Sequence, residues 1–395
     1  MRVAITIERF DPALGGGERY CRNFARFLRN NGHEVHVFAY RLGPPEDGIF
    51  YHQVPPPPGG MWGRALFASR VERLVRRDKF DIVHGFGKST YMDVYRPGGG
   101  VHRAWQAHRL RASRGLAERL RTRWRQWASI EERLVLRLER KQFGPGRGHR
   151  IIAVSRLVRD EIIGYYGCEP ERIHVIHNGA DLARFPPDLR RRLRDPMRRQ
   201  LGLESDEVML LFVGHDFRRK GLHALIRALP HIAEGGTRFR LVVVGRGNRS
   251  GCDRIARRLG VEGAIQYVGA ADPIPYYAAA DIFCFPSYYD PCANVVLEAL
   301  AAGLPVVTSI HNGSGEIIVQ GREGFVVDPD ETSRMAACIG AFFDRDRWED
   351  ASRAARALAE SRPIERSFRE MIGVYALVQG RGLRDQPAGG TAKPK

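Results

Sequence analysis

Short apolar runs bounded by glycine or proline recur along the chain, with amphipathic stretches between them. In the first half they lie near 2–7, 34–40, 80–85 and 150–154. In the second half they are Val208–Gly214 (VMLLFVG), Leu241–Gly245 (LVVVG), Asp281–Pro286 (DIFCFP) and Gly303–Thr308 (GLPVVT). Runs this short and this apolar predict strands buried on both faces, and their alternation with helical patterns predicts doubly wound parallel sheets. A chain of 395 residues exceeds one typical core. We therefore expect two Rossmann-like domains, 1–179 and 180–363, a last helix at 364–379, and a disordered tail at 380–395, where apolar residues nearly vanish. Pro55–Gly60 (PPPPGG) predicts an extended, exposed loop.

The densest chemical signal is Tyr288–Ala299 (YYDPCANVVLEA), with Asp290 in a proline-containing loop and Glu298 in the first turn of a predicted helix. A helix N-terminus presents free amides and partial positive charge, so a diphosphate fits on the amides of Asn294 and Val295. Glu298 is then placed to accept both hydroxyls of a ribose, and Asp290 faces the sugar beyond the phosphates. The same string also suits an ordinary capped helix with two incidental acids. Upstream, His215–Gly221 (HDFRRKG) follows a strand, which sets Arg219 and Lys220 at its carboxyl end. Cations there neutralise a phosphate-bearing ligand, although adjacent basic residues also make a plain solvated turn.

The ordered set VGHDFRRKG, VVVGRG, YYAAADIFCFPSYYDPCANVVLEALAAGLPVVTS and GFVVDPD resembles the carboxyl-terminal half of retaining GT-B glycosyltransferases of family 4. The first strand, the turn Gly15–Gly17 into a helix, the strand at 32–37 and the hinge string Val175–Asp181 (VIHNGAD) are similar to the amino-terminal half. Within the family the nearest likeness is to glucosyltransferases of the lipopolysaccharide core, which act on an inner-core heptose. That likeness rests on Arg219–Gly221 and on Gly85–Lys88 followed by Asp93–Tyr95.

The resemblance implies an α/β GT-B fold, two Rossmann-like domains facing each other across a deep cleft, with the last helix crossing back to the first domain. It implies a hexosyltransferase that moves glucose from a UDP-sugar to a lipopolysaccharide-core or other lipid-linked glycan. The anomeric configuration is kept by front-face attack, in which the departing phosphate oxygen takes the acceptor proton. Mannosyl or other hexosyl transfer from a GDP-sugar in exopolysaccharide synthesis is the alternative.

On this reading the catalytic residues are Asp290, Arg219, Lys220 and His102, the last beside the acceptor hydroxyl. The donor and phosphate are met by Gly15, Gly16, Arg19, Asn294, Val295, Glu298 and Glu316, and the acceptor by Lys88 and Asp93. Asp290 stands where the family carries Glu, which shortens its reach by a methylene. Asn294 is expected to cap its helix and add a donor near the phosphate, and Glu316 to line the donor pocket or cap the next helix. No cofactor is expected. Nor is a metal, because two cations and a helix N-terminus serve the leaving diphosphate, Asp328–Asp330 (DPD) lies in a turn, and no His/Cys cluster has ligand spacing.

Charge then alters the picture. The chain carries a formal +18, and Arg103–Arg150 holds 13 Arg and one Lys against four Glu, a balance of +10. Trp105, Trp124 and Trp127 lie inside it. Arginine with interleaved tryptophan suits helices lying on an anionic membrane; the plain alternative is a solvated helix whose tryptophans pack inward. No nucleic-acid partner is expected, since no recognition motif accompanies the patch. Six scattered cysteines without a C-x-x-C pair, no signal peptide and no apolar span predict a cytoplasmic protein, peripheral on the inner face of the membrane. A Rossmann oxidoreductase is disfavoured, because no G-x-G-x-x-G follows the first strand. A non-catalytic docking protein remains as a different class of reading.

Overall fold

The computed structural model describes residues 1–55, 63–111 and 115–380. Most of the expected proline loop and the tail beyond Gly380 lie outside the described residues. The first domain runs through β1 (Arg2–Thr6), β2 (Arg9–Phe10), α1 (Gly16–Asn30), β3 (Glu34–Ala39), β4 (Arg41–Leu42), β5 (Ile49–Gln53), α2 (Gly63–Val75), β6 (Ile82–Gly85) and β7 (Val94–Tyr95). It continues with α3 (His102–Arg111), α4 (Leu116–Ala128), α5 (Ile130–Phe143), β8 (Arg150–Ala153), α6 (Arg156–Tyr166) and β9 (Ile173–Val175). Its seven-stranded parallel sheet has the order β5-β3-β1-β6-β7-β8-β9. The order reverses at β1, which opens a crevice beyond its carboxyl end, where the turn Gly15–Gly17 lies.

The second domain contains α7 (Leu189–Gln200), β10 (Val208–Val213), α8 (Leu222–Ala233), β11 (Phe239–Val244), α9 (Ser250–Leu259), β12 (Ile265–Gly269), α10 (Ile274–Ala279), β13 (Ile282–Phe285) and α11 (Asn294–Ala301). Then come β14 (Val306–Ser309), β15 (Gly324–Val327), α12 (Thr332–Gly340) and α13 (Arg345–Ser361). This sheet reads β12-β11-β10-β13-β14-β15, again all parallel, and reverses at β10. The VMLLFV, LVVV and IFCF strands are buried on both faces, which is why they carry almost no polar residue.

The chain crosses between domains twice, side by side. Ala180 N–H donates to Arg362 O (2.9 Å) and Ile364 N–H to Ala180 O (2.9 Å), so the two crossings form one short parallel bridge. A Cβ on Gly179 would lie 2.4 Å from Pro363 O, so only glycine permits that approach. Beyond it, α14 (Ile364–Gln379) buries Phe368, Met371, Val374 and Tyr375 in the first domain's core. Their spacing makes one helical face, and each large side chain so buried contributes about 1.5–3 kcal/mol.

The basic segment divides in two. Trp105 on α3 packs partly buried against the first domain. On α4, however, Leu116 (79% exposed), Leu120 (66%), Trp124 (65%) and Trp127 (75%) form a single outward stripe, continued by Ile130 (45%) at the start of α5. Inward packing therefore describes Trp105 and fails for Trp124 and Trp127. Not all arginine is free surface charge either: Arg190, Arg194 and Arg198 of α7 converge on Asp281 (3.3, 2.6 and 3.1 Å). Among the described residues no helix is long and apolar enough to cross a membrane.

Candidate active site

Pro286 ends β13, and the following loop carries Tyr288, Tyr289 and Asp290, all buried, into α11. Ala293, not Asn294, sits at the N-cap and makes no side-chain cap bond. Asn294 is the first helical residue, so its side chain cannot reach back to the helix amides, and the expected cap is corrected on that ground. Instead Asn294 Oδ1 accepts from Asn178 Nδ2 (2.7 Å), and Nδ2 donates to Gly16 O (3.4 Å) across the cleft. The amides of Asn294 and Val295 belong to the first turn, which has no helical acceptors for them.

One turn on, Glu298 Oε1 accepts from Arg184 (2.7 Å) and lies 4.0 Å from Arg19. Its Oε2 accepts from the Tyr277 hydroxyl (3.1 Å). Burial first, and then the Glu298 charge, push that phenol well above its ordinary pKa, so it stays a donor. Gly16, Arg19, Asn23, Arg184, Asn294 and Glu298 line an open interdomain cleft. The approach at Gly16 is close: a Cβ there would meet Asn294 Nδ2 at 3.1 Å.

The cations occupy the neighbouring edge of this wall rather than the lining of that space. Lys220 Nζ forms an ion pair with Asp290, and Arg219 bonds Asp216 (3.2 Å) and Tyr289 O (3.2 Å). Burial lowers the Lys220 pKa, with Asp290 opposing and Arg219 reinforcing the shift. Gly221, at φ +81°, brings this loop so close that a Cβ would fall 1.8 Å from Pro286 O. The cationic loop and the Asp290 loop are thus one packed unit. Lys220 and Asp290, expected to serve different parts of a donor, hold each other.

Four expected residues are engaged elsewhere. Glu316 does not line the cleft. It caps α6 of the other domain, accepting from the amides of Arg156 (2.9 Å) and Leu157 (2.7 Å), and pairs with His177 (2.8 Å). Burial raises its pKa, but His177 and the two amides outweigh that and leave it below the ordinary value. His102 begins α3, gives its amide to Glu139 (2.6 Å) and its ring to Glu132 of α5, and stacks on Trp105. Its ring is committed to that carboxylate. Lys88 Nζ lies 3.5 Å from the fully buried Glu139. Asp93 accepts from Val83 N–H (2.8 Å) and fastens β7 to β6, and burial raises its pKa.

Sequence reading missed Arg184 and Tyr277, the partners of Glu298, and Asn178, the partner of Asn294. Arg184 stands three residues past the hinge string VIHNGAD, and Asn178 lies within it. Extending that string by one turn was the available signal.

Residues 14–184 match the profile described as Glycosyltransferase Family 4, and residues 207–345 that described as Glycosyl transferases group 1. The chain is 27% identical over 350 residues to an uncharacterized glycosyltransferase of Methanocaldococcus jannaschii, covering 85% of this chain and 87% of that one. It is 28% identical over 331 residues to the lipopolysaccharide glucosyltransferase WaaG of Escherichia coli, covering 83% and 85%. The crystal structure of WaaG, a glycosyltransferase involved in lipopolysaccharide biosynthesis, is similar at a TM-score of 0.77 and 23% identity, covering 94% of this chain and 99% of that one. Anabaena Alr3699/HepE in complex with UDP-glucose is similar at 0.71 and 19%, covering 95% and 100%. These likenesses establish the two-domain GT-B fold.

Proposed function

The chain belongs to the glycosyltransferases that join a family 4 domain to a group 1 domain, and from that premise we propose that it moves glucose from a UDP-sugar to a lipopolysaccharide-core or other lipid-linked glycan, with retention. The observation that carries this reading is the facing of α11's amino end and Glu298 by Gly16 and Arg19 across one cleft. A diphosphate placed on the first-turn amides of α11 meets the partial positive charge of the helix. Its ribose then falls one turn deeper, on Glu298, sharing that carboxylate with Arg184 and Tyr277. The transferred sugar extends toward Asp290, within the field of Lys220 and Arg219.

Negative charge gathers on the departing diphosphate as the anomeric carbon becomes positive. Fixed donors aimed at that charge stabilise the transition state, and removing one costs about 3–4 kcal/mol. Arg219, Lys220 and the helix amides fill this role. With them in place a departing phosphate oxygen takes the acceptor proton on the same face, which retains configuration. The UDP-glucose bound by HepE and the name of WaaG support UDP-glucose as the first donor to test. A thermal-shift panel of UDP, GDP and ADP with their glucose and mannose sugars tests it. We expect UDP and UDP-glucose to raise Tm in the wild type and not in Glu298→Ala. GDP selectivity would favour the mannosyl alternative, and no response to any nucleotide would end the reading.

We further propose that α4 docks the enzyme on an anionic membrane, which brings the cleft to a lipid-borne acceptor. Its outward Leu116, Leu120, Trp124 and Trp127 stripe, flanked by exposed Arg121, Arg123 and Arg125, supports this. Flotation with anionic vesicles and not with neutral ones is the expected result. Equal recovery with both, or none, contradicts it.

A further inference from the structure

Tyr289 belongs by sequence to the second domain and by packing to the first. It is 1% exposed and sits in the first domain's core with Val101, Ala104, Val158 and Ile162. Its hydroxyl donates to Glu161 Oε2 on α6 (2.8 Å) and accepts from Val101 N–H (3.1 Å). Its ring stacks on His108 of α3 with centroids 4.8 Å apart and planes 18° apart. The loop before α3 is shaped to admit it. Gly100, at φ +74°, would place a Cβ 2.4 Å from the Tyr289 hydroxyl oxygen.

The next residue is Asp290. Its amide donates to His311 O (2.9 Å), its carbonyl accepts from Gly313 N–H (2.9 Å), and its carboxylate holds Lys220. Gly313 in turn lies so close to α6 that a Cβ would meet Ser155 Cβ at 2.5 Å, and Glu316 caps the same helix. Both second-domain loops that frame Asp290 therefore dock on α6, one through Tyr289 and one through Gly313 and Glu316. Tyr289 and Asp290 are joined by one peptide, with Cα atoms about 3.8 Å apart, so the Tyr289 anchor limits where Asp290 can sit.

We propose that Tyr289 is a positioning residue: its anchorage to Glu161 and Val101 sets Asp290 in its working place when the two domains are closed. The inference rests on the reading above that Asp290 faces the donor sugar. It adds that this acid is located by the first domain, through the contacts that Tyr289 makes with α3 and α6. The role differs from that proposed for Glu298, whose direct partners are Arg184 and Tyr277.

The test compares Tyr289→Phe, Glu161→Gln and the double variant in the full chain. UDP-induced Tm shift reports donor binding, and UDP-glucose transfer to deacylated inner-core lipopolysaccharide gives kcat and KM. Displacement of reacting groups by about 1 Å costs on the order of 100-fold in rate, so we expect each single variant to lose about 10–100-fold in kcat. KM for UDP-glucose and the UDP shift should stay near wild type. Because hydroxyl and carboxylate act as one unit, the double variant should lose no more than the worse single one. Unchanged turnover, losses that multiply in the double, or a fall in KM affinity and UDP shift alongside kcat would each overturn the inference. Glu161→Gln, which keeps the side chain's size but removes the charge that strengthens its hydrogen bond to Tyr289, gives the answer if Tyr289→Phe folds poorly. A wild type that UDP does not stabilise removes the functional reading and this inference together; a wild type that UDP stabilises, with variants at full turnover, removes this inference alone.

Discussion

The two walls of the cleft are built differently. On the second domain, Asp290, Asn294 and Glu298 come from one continuous stretch, and Arg219 and Lys220 from the loop packed directly against it. On the first domain only Gly16 and Arg19 of the expected residues face the space, while His102, Lys88 and Asp93 are spent on Glu132, Glu139 and Val83. A wall made from neighbours in sequence preserves the geometry of its motif. A wall assembled from distant loops uses the same polar side chains to hold itself together. On the function proposed above, the difference assigns donor chemistry to the second domain and leaves the first to contribute Gly16, Arg19 and anchorage.

The sharpest way to break this contrast is to remove charge from each wall. Lys220→Ala should lower kcat by about 100–1000-fold, some 3–4 kcal/mol, in a steady-state transfer assay. His102→Ala should leave turnover within about 5-fold and instead cost about 1 kcal/mol of stability in urea unfolding, because Glu132 loses one of its partners and keeps Gln106. If His102→Ala abolishes turnover with stability intact, the contrast is wrong. Next in size, replacing Arg121, Arg123 and Arg125 together by Ala should weaken binding to anionic vesicles by roughly 3 kcal/mol, at about 1 kcal/mol for each basic residue near the surface. Turnover on a soluble acceptor should not change.

The smallest effect concerns closure. Glu316 has a folded pKa below its ordinary value, so its contribution is present above the unfolded carboxylate value of about 4.3. It is lost as pH falls through the lower folded value. The stability difference between wild type and Glu316→Gln, read by urea denaturation from neutral pH downward, should therefore shrink in acid. A difference that grows on acidification would show that the carboxylate is not what fastens the domains at α6.

Legibility followed the same division. The strands buried on both faces were readable because a run such as VMLLFV has no polar position to confuse its period. The edge strand β12 (IQYVG) alternates, β7 is two residues long and β9 three, and such pieces leave no pattern above their surroundings. The placing of Asp290 in a loop and Glu298 near a helix start was readable, but Glu298 falls one turn into α11, not in its first turn, because the helix begins at Asn294. The one-residue shift that puts Ala293 at the N-cap, and so turns Asn294 toward Asn178 and Gly16, was not, since cap position depends on how the loop packs. Tyr289 looked like part of the second domain's motif. Only the folded chain brings it to Glu161, 128 residues away in sequence.

The structure of the enzyme bound to UDP tests the central claim most directly. The account predicts the diphosphate on the amides of Asn294 and Val295 beside Arg219 and Lys220, with the ribose hydroxyls on Glu298. UDP seated on the first domain, or a complex in which Glu298 touches only Arg184 and Tyr277, would contradict it.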